Sequence, residues 1–151
     1  MPTQLSEHFT LEELIYSATA EKNGIDNSAS PEIVANLKHT CEVALEPARV
    51  IWGVPVRINS GYRCEKLNDI EHGVHNSEHL FGHAADCVPE GLNLLDAFRA
   101  IRASDIVFDQ LIIEENAWIH IGLAADGVTP RRECLVAQGT PGHWHYVPFS
   151  A

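Results

Sequence analysis

The segment 108–123 decides the fold, and it reads Phe108-Asp109-Gln110-Leu111-Ile112-Ile113-Glu114-Glu115-Asn116-Ala117-Trp118-Ile119-His120-Ile121-Gly122-Leu123. Two apolar runs rich in β-branched residues flank a short polar break, which predicts a β-hairpin with strands at 108–114 and 118–123. A turn at 115–117 places Glu114 opposite Trp118, and Asn116 tolerates the left-handed conformation that such a turn requires.

One face of this predicted hairpin carries polar side chains. Because strand side chains alternate between faces, one face receives Gln110, Ile112, Glu114, Trp118 and His120. The diagonal from Glu114 to His120 is roughly 7–8 Å between α-carbons, which suits a base that reaches a metal through water. The register favours Glu114 over Glu115 as this base, and a shift of one residue would reverse the face.

A second stretch, 77–86, supplies further candidate metal ligands and reads Ser77-Glu78-His79-Leu80-Phe81-Gly82-His83-Ala84-Ala85-Asp86. Gly82 interrupts it, so we expect His79 in a loop and Asp86 on a buried strand. His79, Asp86 and His120 offer two imidazoles and one carboxylate, a set that a catalytic zinc ion uses with its fourth position open. The sequence therefore predicts one zinc ion.

The rest of the chain predicts helices around a small sheet. A capping box at Thr10 and Glu13 and a Ser30-Pro31 start signal begin the first two helices. The predicted helices lie at 11–20, 31–52, 64–71 and 94–102. The other predicted strands lie at 54–59, 84–88 and 133–138, and the tail from Gly139 is expected to be irregular. This order predicts a single α+β domain over residues 1–151, with a small antiparallel sheet covered by helices and a zinc cleft.

Composition narrows the partners. The formal net charge is −11 over 151 residues, which disfavours binding to nucleic acid or to an anionic membrane. No apolar run reaches the roughly 18 to 20 residues of a membrane span. Residues 1–8 do not resemble a signal peptide, so we expect synthesis in the cytoplasm. We also expect a monomer.

Cysteine and histidine leave two alternatives open. The four cysteines (Cys41, Cys64, Cys87 and Cys134) form no CxxC pair, which favours free and mostly buried thiols. A disulfide between Cys64 and Cys87 is the alternative. His143 and His145 alternate along the chain and form a rival metal pair, although no carboxylate accompanies them.

Several motifs resemble the D-Ala-D-Ala metallopeptidase family, which includes VanX- and VanY-type enzymes. The pattern Ser77-x-His79-x-x-Gly82-x-Ala84-x-Asp86 is similar to that family's zinc-binding motif. The segments 8–13, 60–63 with Asn68, 109–114 and 118–120 also resemble it. The resemblance covers residues 8 to about 123. Within the family, this chain is most similar to the compact phage and bacterial enzymes.

The resemblance implies roles for individual residues. It implies that His79, Asp86 and His120 bind zinc, with Glu114 as general base and acid and Arg63 orienting the substrate and the oxyanion. We expect substrate contacts from Ser77, Tyr62, Gln110 and Trp118. Some relatives place the base three residues before the last histidine, where this chain has Ala117. The six-residue spacing of Glu114 matches the branch that includes the Hedgehog signalling domain.

The resemblance also implies an activity. The expected reaction is zinc-dependent hydrolysis of a peptide bond in peptidoglycan stem peptides, by a D-alanyl-D-alanine carboxypeptidase or endopeptidase. An L-alanyl-D-glutamate endopeptidase of the phage endolysin type is one alternative. A non-catalytic zinc-containing binding module is an alternative of another class. In either enzymatic case the partner is a wall peptide, reached after release from the cytoplasm.

Overall fold

Short helices begin the chain in the computed structural model, which describes residues 2–114, 117–140 and 142–150. The single helix predicted at 11–20 is wrong, because the structure has α1 at Leu11–Ile15 and α2 at Ala18–Lys22. Thr10 and Glu13 form the predicted capping box of α1. Ser17 then adopts an extended conformation and accepts a hydrogen bond from the Ala20 amide, so a second N-cap divides the run.

The long helix predicted at 31–52 is present, with a wider turn in its middle. It consists of α3 (Pro31–Thr40), a π-helical segment (Cys41–Leu45) and α4 (Glu46–Trp52). Pro47 has no amide hydrogen, and its ring would clash with a carbonyl one turn earlier in a regular α-helix. The wider π-helical turn accommodates it. Gly53 ends α4 in the left-handed conformation, with φ of 68°.

A six-stranded sheet forms the centre of the molecule, with the order β1-β2-β4-β3-β5-β6. Its strands are β1 (Val56–Ser60), β2 (Ala84–Pro89), β3 (Gln110–Glu114), β4 (Trp118–Gly122), β5 (Glu133–Thr140) and β6 (His143–Pro148). The α+β class is confirmed. The sheet is mostly antiparallel, and the exception is the parallel pairing of β3 with β5.

The tail from Gly139 contradicts its prediction, because residues 143–148 form β6 rather than irregular structure. Gly139 and Gly142 have positive φ values of 117° and 84°, which lets the chain reverse and pair with β5. The side chains of β6 are mostly exposed, and the Gly and Pro residues at 139, 142 and 148 led to the prediction of irregular structure although His143, Trp144, His145 and Tyr146 alternate.

The hairpin of β3 and β4 has the predicted register. Glu114 pairs with Trp118, and Ile112 pairs with His120. The Ala117 amide donates to the Glu114 carbonyl at 2.8 Å. The predicted turn positions Glu115 and Asn116 lie outside the described residues.

The two faces of the sheet differ in polarity: one packs in the hydrophobic core and the other carries the predicted site residues. One face is apolar and contributes Ala85, Cys87, Leu111, Ile113, Ile119 and Ile121 to the core. The helix α6 (Leu94–Arg102) packs against this face, and the Trp52 indole of α4 donates to the Ala97 carbonyl of α6 at 3.0 Å. The opposite face, which we call the cleft face, carries Asp86, His120 and Glu114.

The segment 61–83 includes α5 (Glu65–Ile70) and a 3₁₀-helix (Glu78–Phe81) and supplies the other side chains that meet at the cleft face. All four cysteines are free, as predicted. Burial raises the pKa of the Cys41 thiol to about 12, so that it stays protonated. Across the described part of the chain, no helix has both the length and the apolarity to cross a bilayer.

Candidate metal centre

Three buried side chains converge on one point of the cleft face. His79 Nε2 lies 3.3 Å from Asp86 Oδ1, His120 Nδ1 lies 3.1 Å from that oxygen, and the two nitrogens are 3.2 Å apart. Within residues 2–114, 117–140 and 142–150, this is the one group of three or more potential ligands close enough to hold a metal ion.

The donor atoms fit a zinc ion. Ligands at about 2.0–2.1 Å from a tetrahedral zinc lie about 3.3–3.4 Å from one another, close to the separations seen here. Two imidazole nitrogens and one carboxylate oxygen are also ligand types that zinc prefers. The residues present therefore fit the predicted cofactor.

His79 is oriented by the segment around it. The Ser77 side chain caps the 3₁₀-helix by accepting from the His79 amide at 3.2 Å. His79 Nδ1 lies 2.6 Å from the Gly61 carbonyl, so Nδ1 carries the hydrogen and Nε2 is left free to bind metal. Gly82 ends the 3₁₀-helix with φ of 77°, and Thr40 Oγ1 donates to the Gly82 carbonyl at 2.8 Å. The motif thus folds as a short capped turn anchored to α3.

Asp86 and His120 are placed by strand register. They are direct cross-strand partners on β2 and β4, and Ile112 of β3 follows in the same row. The two alanines at 84 and 85 are fully buried, as expected where a strand is covered on both faces. The sheet therefore fixes two of the three potential ligands before any metal binds.

Arg63 lies beside the ligands and is held by several contacts. It donates to Asp86 Oδ2 at 3.0 Å, to Ser60 Oγ at 2.9 Å and to Asn68 Oδ1 at 3.4 Å. A side chain at Gly73 would overlap Asn68 and approach Arg63 Nη1, so glycine is required there. Asp86 can thus give one oxygen to a metal while Arg63 holds the other.

Glu114 lines the same cleft, at the end of β3. Burial and the charge of Asp86 together raise the pKa of its carboxyl to about 7, against the opposing effect of His120. A pKa near 7 suits a group that accepts and returns a proton at neutral pH. The Trp118 indole also lowers this pKa, although its buried N–H makes no hydrogen bond of normal geometry with any described residue.

The potential ligands perturb one another. Burial would raise the pKa of Asp86, but His79 and His120 hold it well below its usual value. Burial lowers the pKa of His79, only partly offset by Asp86. Burial also opposes the charged form of His120, yet the neighbouring carboxyl groups of Asp86 and Glu78 raise its pKa to about 9. Such mutual perturbation is common at functional sites.

The structure brings together most of the predicted site residues. Besides the three potential ligands, the cleft contains Arg63, Ser77, Gln110 and Glu114. Gln110 donates to Glu133 Oε1 at 2.7 Å, which fixes its amide at one end of the cleft. Tyr62 and Trp118 are not part of the cleft lining, and Tyr62 packs against the hydrophobic core instead.

The cleft also contains residues that were not predicted as site residues, among them Glu78, Arg131, Leu135 and Tyr146. Leu135 pairs with Ile112 and therefore extends the row of Asp86 and His120. Tyr146 pairs with Ala137, which pairs with Glu114. The strand predicted at 133–138 could have indicated Leu135, whereas Tyr146 lies in the tail for which no strand was predicted. The rival pair His143 and His145 is exposed on β6 and takes no part in the three-ligand group.

An α+β fold with a His–Asp–His centre, a neighbouring carboxylate and an open cleft defines the class of metal-dependent hydrolases. The peptidase M15 family model matches residues 7–122, and the chain belongs to this family of zinc-dependent metallopeptidases. A comparison with curated proteins finds no match.

Proposed function

We propose that this protein hydrolyses a peptide bond in peptidoglycan stem peptides, as a zinc-dependent D-alanyl-D-alanine carboxypeptidase or endopeptidase. The observation that carries the proposal is the convergence of His79, Asp86 and His120 at tetrahedral ligand spacing, with Glu114 in the same cleft. Membership of the peptidase M15 family supports the reaction class. We further propose that the chain acts as a monomer.

The metal supplies the electrophilic part of the chemistry. When bound, a zinc ion would lower the pKa of a water molecule to about 7 and would polarise a carbonyl group. His79, Asp86 and His120 would hold it, and the Gly61 carbonyl would keep His79 in the tautomer that this requires.

Glu114 is the proposed general base and acid. Its carboxylate accepts the proton of the attacking water, and its carboxylic acid then donates that proton to the leaving amine as the C–N bond breaks. Partial burial keeps the group close to balance between its two forms. The proton therefore remains at Glu114 between the two steps.

Arg63 is the proposed electrostatic stabiliser. A guanidinium has five N–H donors, and three of them donate to Asp86, Ser60 and Asn68. The other two make no hydrogen bond with a described residue and could donate to a substrate carboxylate or to the tetrahedral oxyanion. Such a donor contributes about 2.7–4 kcal/mol to transition-state stabilisation.

The size and charge of the cleft agree with a short peptide substrate. Its volume is about 320 Å³, at the lower end of the range for small-ligand sites. Arg63 and Arg131 lie in it together with Glu78 and Glu114, so both signs of charge line the walls. A stem peptide carries carboxylates and, in many wall types, an amine, and this mixed lining can accommodate both.

The test is the variant Glu114→Ala, with Glu114→Gln as the variant of closest shape. Both should abolish the release of products from purified peptidoglycan, because neither side chain can accept the proton, while the bound zinc stays stoichiometric. Mass spectrometry of muropeptides and metal analysis measure the two outcomes. Exposed Glu90, changed to alanine, is the matched control. Hydrolysis at the wild-type rate by Glu114→Ala would contradict the assignment.

The same mass spectra separate the alternatives. Loss of a terminal D-alanine identifies the carboxypeptidase, and a cut between L-alanine and D-glutamate identifies the endolysin type. A protein that binds zinc and muropeptides but releases no product would instead be a non-catalytic module. The proposed position of Glu114 disfavours that outcome, because a purely structural zinc site has no use for a base.

A further inference from the structure

Two buried polar atoms face each other on the side of His120 that points away from the proposed metal position. His120 Nε2 lies 3.8 Å from Glu78 Oε1. Neither atom has a hydrogen-bond partner among the residues that the structure describes. Buried polar groups in proteins are nearly always paired, so this pair of unpartnered atoms calls for an explanation.

The tautomer of the His120 imidazole accounts for the unpartnered Nε2. His120 Nδ1 points to Asp86 Oδ1 and His79 Nε2, at 3.1 and 3.2 Å, and is therefore the nitrogen offered to the metal. A neutral imidazole carries its one hydrogen on the other nitrogen, here Nε2. That N–H needs an acceptor, and Glu78 Oε1, on a side chain only 16% exposed, accepts from no described residue.

Gly122 leaves the space that the Glu78 carboxyl occupies beside His120. Gly122 follows His120 by two residues on β4, so the two positions share the cleft face. A Cβ atom at Gly122 would overlap Glu78 Oε1 and would lie 3.0 Å from His120 Nε2. Glycine at this position thus opens the pocket in which the carboxyl of Glu78 lies against the imidazole.

Asp109 is a neighbour of Glu78 whose carboxylate has a fixed position. Asp109 accepts from Arg131 Nη2 at 2.7 Å and from Arg131 Nε at 3.1 Å, so its carboxylate is held in place. Glu78 therefore lies between the fixed carboxylate of Asp109 and the imidazole of His120.

We propose that Glu78 is a positioning residue, which accepts a hydrogen bond from His120 Nε2–H and thereby presents Nδ1 to the zinc ion. Carboxylates that bind the second nitrogen of a metal-ligating histidine fix its tautomer and its ring orientation. Glu78 Oε1 faces His120 Nε2 and not Nδ1, so Glu78 is placed to act through the imidazole. The inference rests on the proposed metal role of His120.

The zinc affinity of the intact protein tests the inference without any use of activity. Competition with a chromophoric chelator at neutral pH gives Kd for the wild type, Glu78→Ala, Glu78→Gln and Gly122→Ala. We expect Glu78→Ala to weaken zinc binding about 10- to 100-fold, and Glu78→Gln to weaken it less, because its amide oxygen still accepts. Gly122→Ala should resemble Glu78→Ala, since its methyl group displaces the carboxyl. Glu90→Ala is the control and should bind as the wild type does.

A spectroscopic readout separates positioning from a general loss of structure. With zinc bound, the ¹H and ¹⁵N shifts of the His120 Nε2–H should report a hydrogen bond to a carboxylate in the wild type and its loss in Glu78→Ala. Partial recovery of affinity in Glu78→Gln also distinguishes the hydrogen bond from packing. Should Glu78→Ala fail to fold, Glu78→Gln and Gly122→Ala still decide the matter.

Two outcomes overturn the proposal in distinguishable ways. Wild-type affinity in both Glu78→Ala and Gly122→Ala, with tight binding by the wild type, removes the role of Glu78 alone. Absence of zinc binding by the wild type overturns both this inference and the proposed function. Loss of turnover in Glu78→Ala with unchanged zinc affinity would also overturn the inference, since Glu78 would then act on the substrate.

Discussion

Arg63 connects the potential metal ligands to the open side of the cleft. Its guanidinium holds Asp86 Oδ2 and is itself held by Ser60 and Asn68, and 12% of the side chain remains exposed. A planar fork fixed at three points is already oriented when a carboxylate or an oxyanion arrives. Little reorganisation is then required in the transition state.

Arg63→Lys should therefore lower kcat/KM about 100-fold, since an ammonium group cannot hold Asp86 and a substrate group together with fixed geometry. Steady-state kinetics on a defined stem peptide measure this, and metal analysis should find zinc still bound. Arg57→Lys, at an exposed position of β1, is the matched control. A fully active Arg63→Lys enzyme would show that a positive charge alone suffices.

Asp109 and Arg131 provide a pH-dependent contribution to stability. Hydrogen bonds from Arg131 hold the pKa of Asp109 well below its usual value. A carboxyl with a lowered pKa in the folded state stabilises the protein above its unfolded pKa of about 3.9, and this stabilisation is lost as the pH falls from there towards the folded pKa. Arg131 is 55% exposed, so solvent screening reduces the effect.

The variant Asp109→Asn should lower the free energy of unfolding by about 1 kcal/mol at pH 7 and pH 5, and by less below pH 4. Asparagine keeps an oxygen that can accept from the Arg131 amide, so the change removes mainly the charge. Urea unfolding with a chelator present, at pH 7, 5 and 3, measures the difference without the metal. An equal difference at all three values would exclude the ionised carboxylate as its cause.

At the scale of elements, the hairpin of β5 and β6 forms a wall of the cleft. It lies outside residues 7–122, which the family model matches, yet it contributes Leu135 and Tyr146. Tyr146 is 41% exposed. It extends the cross-strand row of Glu114 and Ala137 by one strand. We expect this wall to select among substrates rather than to take part in bond cleavage.

Tyr146→Ala should accordingly raise KM about 10-fold with a smaller change in kcat, because an aromatic contact in a site of this kind contributes about 1–2 kcal/mol of binding. Tyr146→Phe should retain most of the affinity if the ring rather than the hydroxyl makes the contact. Exposed Tyr16, changed to alanine, is the control. Unchanged KM in Tyr146→Ala would place the substrate elsewhere in the cleft.

For the whole molecule, the sequence was most informative where a strand has one apolar and one polar face. The register of β3 with β4 and the placement of Glu114 with His120 follow from alternation alone, because a slip of one residue would bury charge. The helix starts at Thr10, Ser30 and Asn93 are likewise local, since each depends on a capping side chain.

Other features depend on contacts between distant parts of the chain, which alternation does not reveal. The strand β6 is mostly exposed on both faces, so the alternation of His143, Trp144 and His145 does not mark a buried face. The parallel pairing of β3 with β5 joins strands separated by β4, and neither strand encodes this choice by itself. The proposed role of Glu78 could not be predicted from the sequence, because it depends on the contacts of Glu78 with Gly122 and His120, which are distant in the chain.

Zinc should stabilise the folded chain as a whole, because the three potential ligands come together only in the native state. At a free zinc concentration of 100 times Kd, binding adds about 2.7 kcal/mol to stability. For a chain of this size, that corresponds to a rise in Tm of about 5–10 °C. Differential scanning fluorimetry with and without zinc measures it, and His79→Ala should abolish the shift. A Tm unaffected by zinc in the wild type would contradict the proposed site.

The parallel pairing of β3 with β5 sets an order on assembly during synthesis. The residues His79, Asp86 and His120 leave the ribosome before residues 133–148 do, so a nascent chain can gather its metal ligands while the outer edge of β3 is still uncovered. Unpaired edges of this kind recruit other strands and promote aggregation. We therefore expect the β5–β6 hairpin to prevent self-association by covering this edge of β3. Chains that stop near residue 123 should precipitate, even though they contain all three metal ligands.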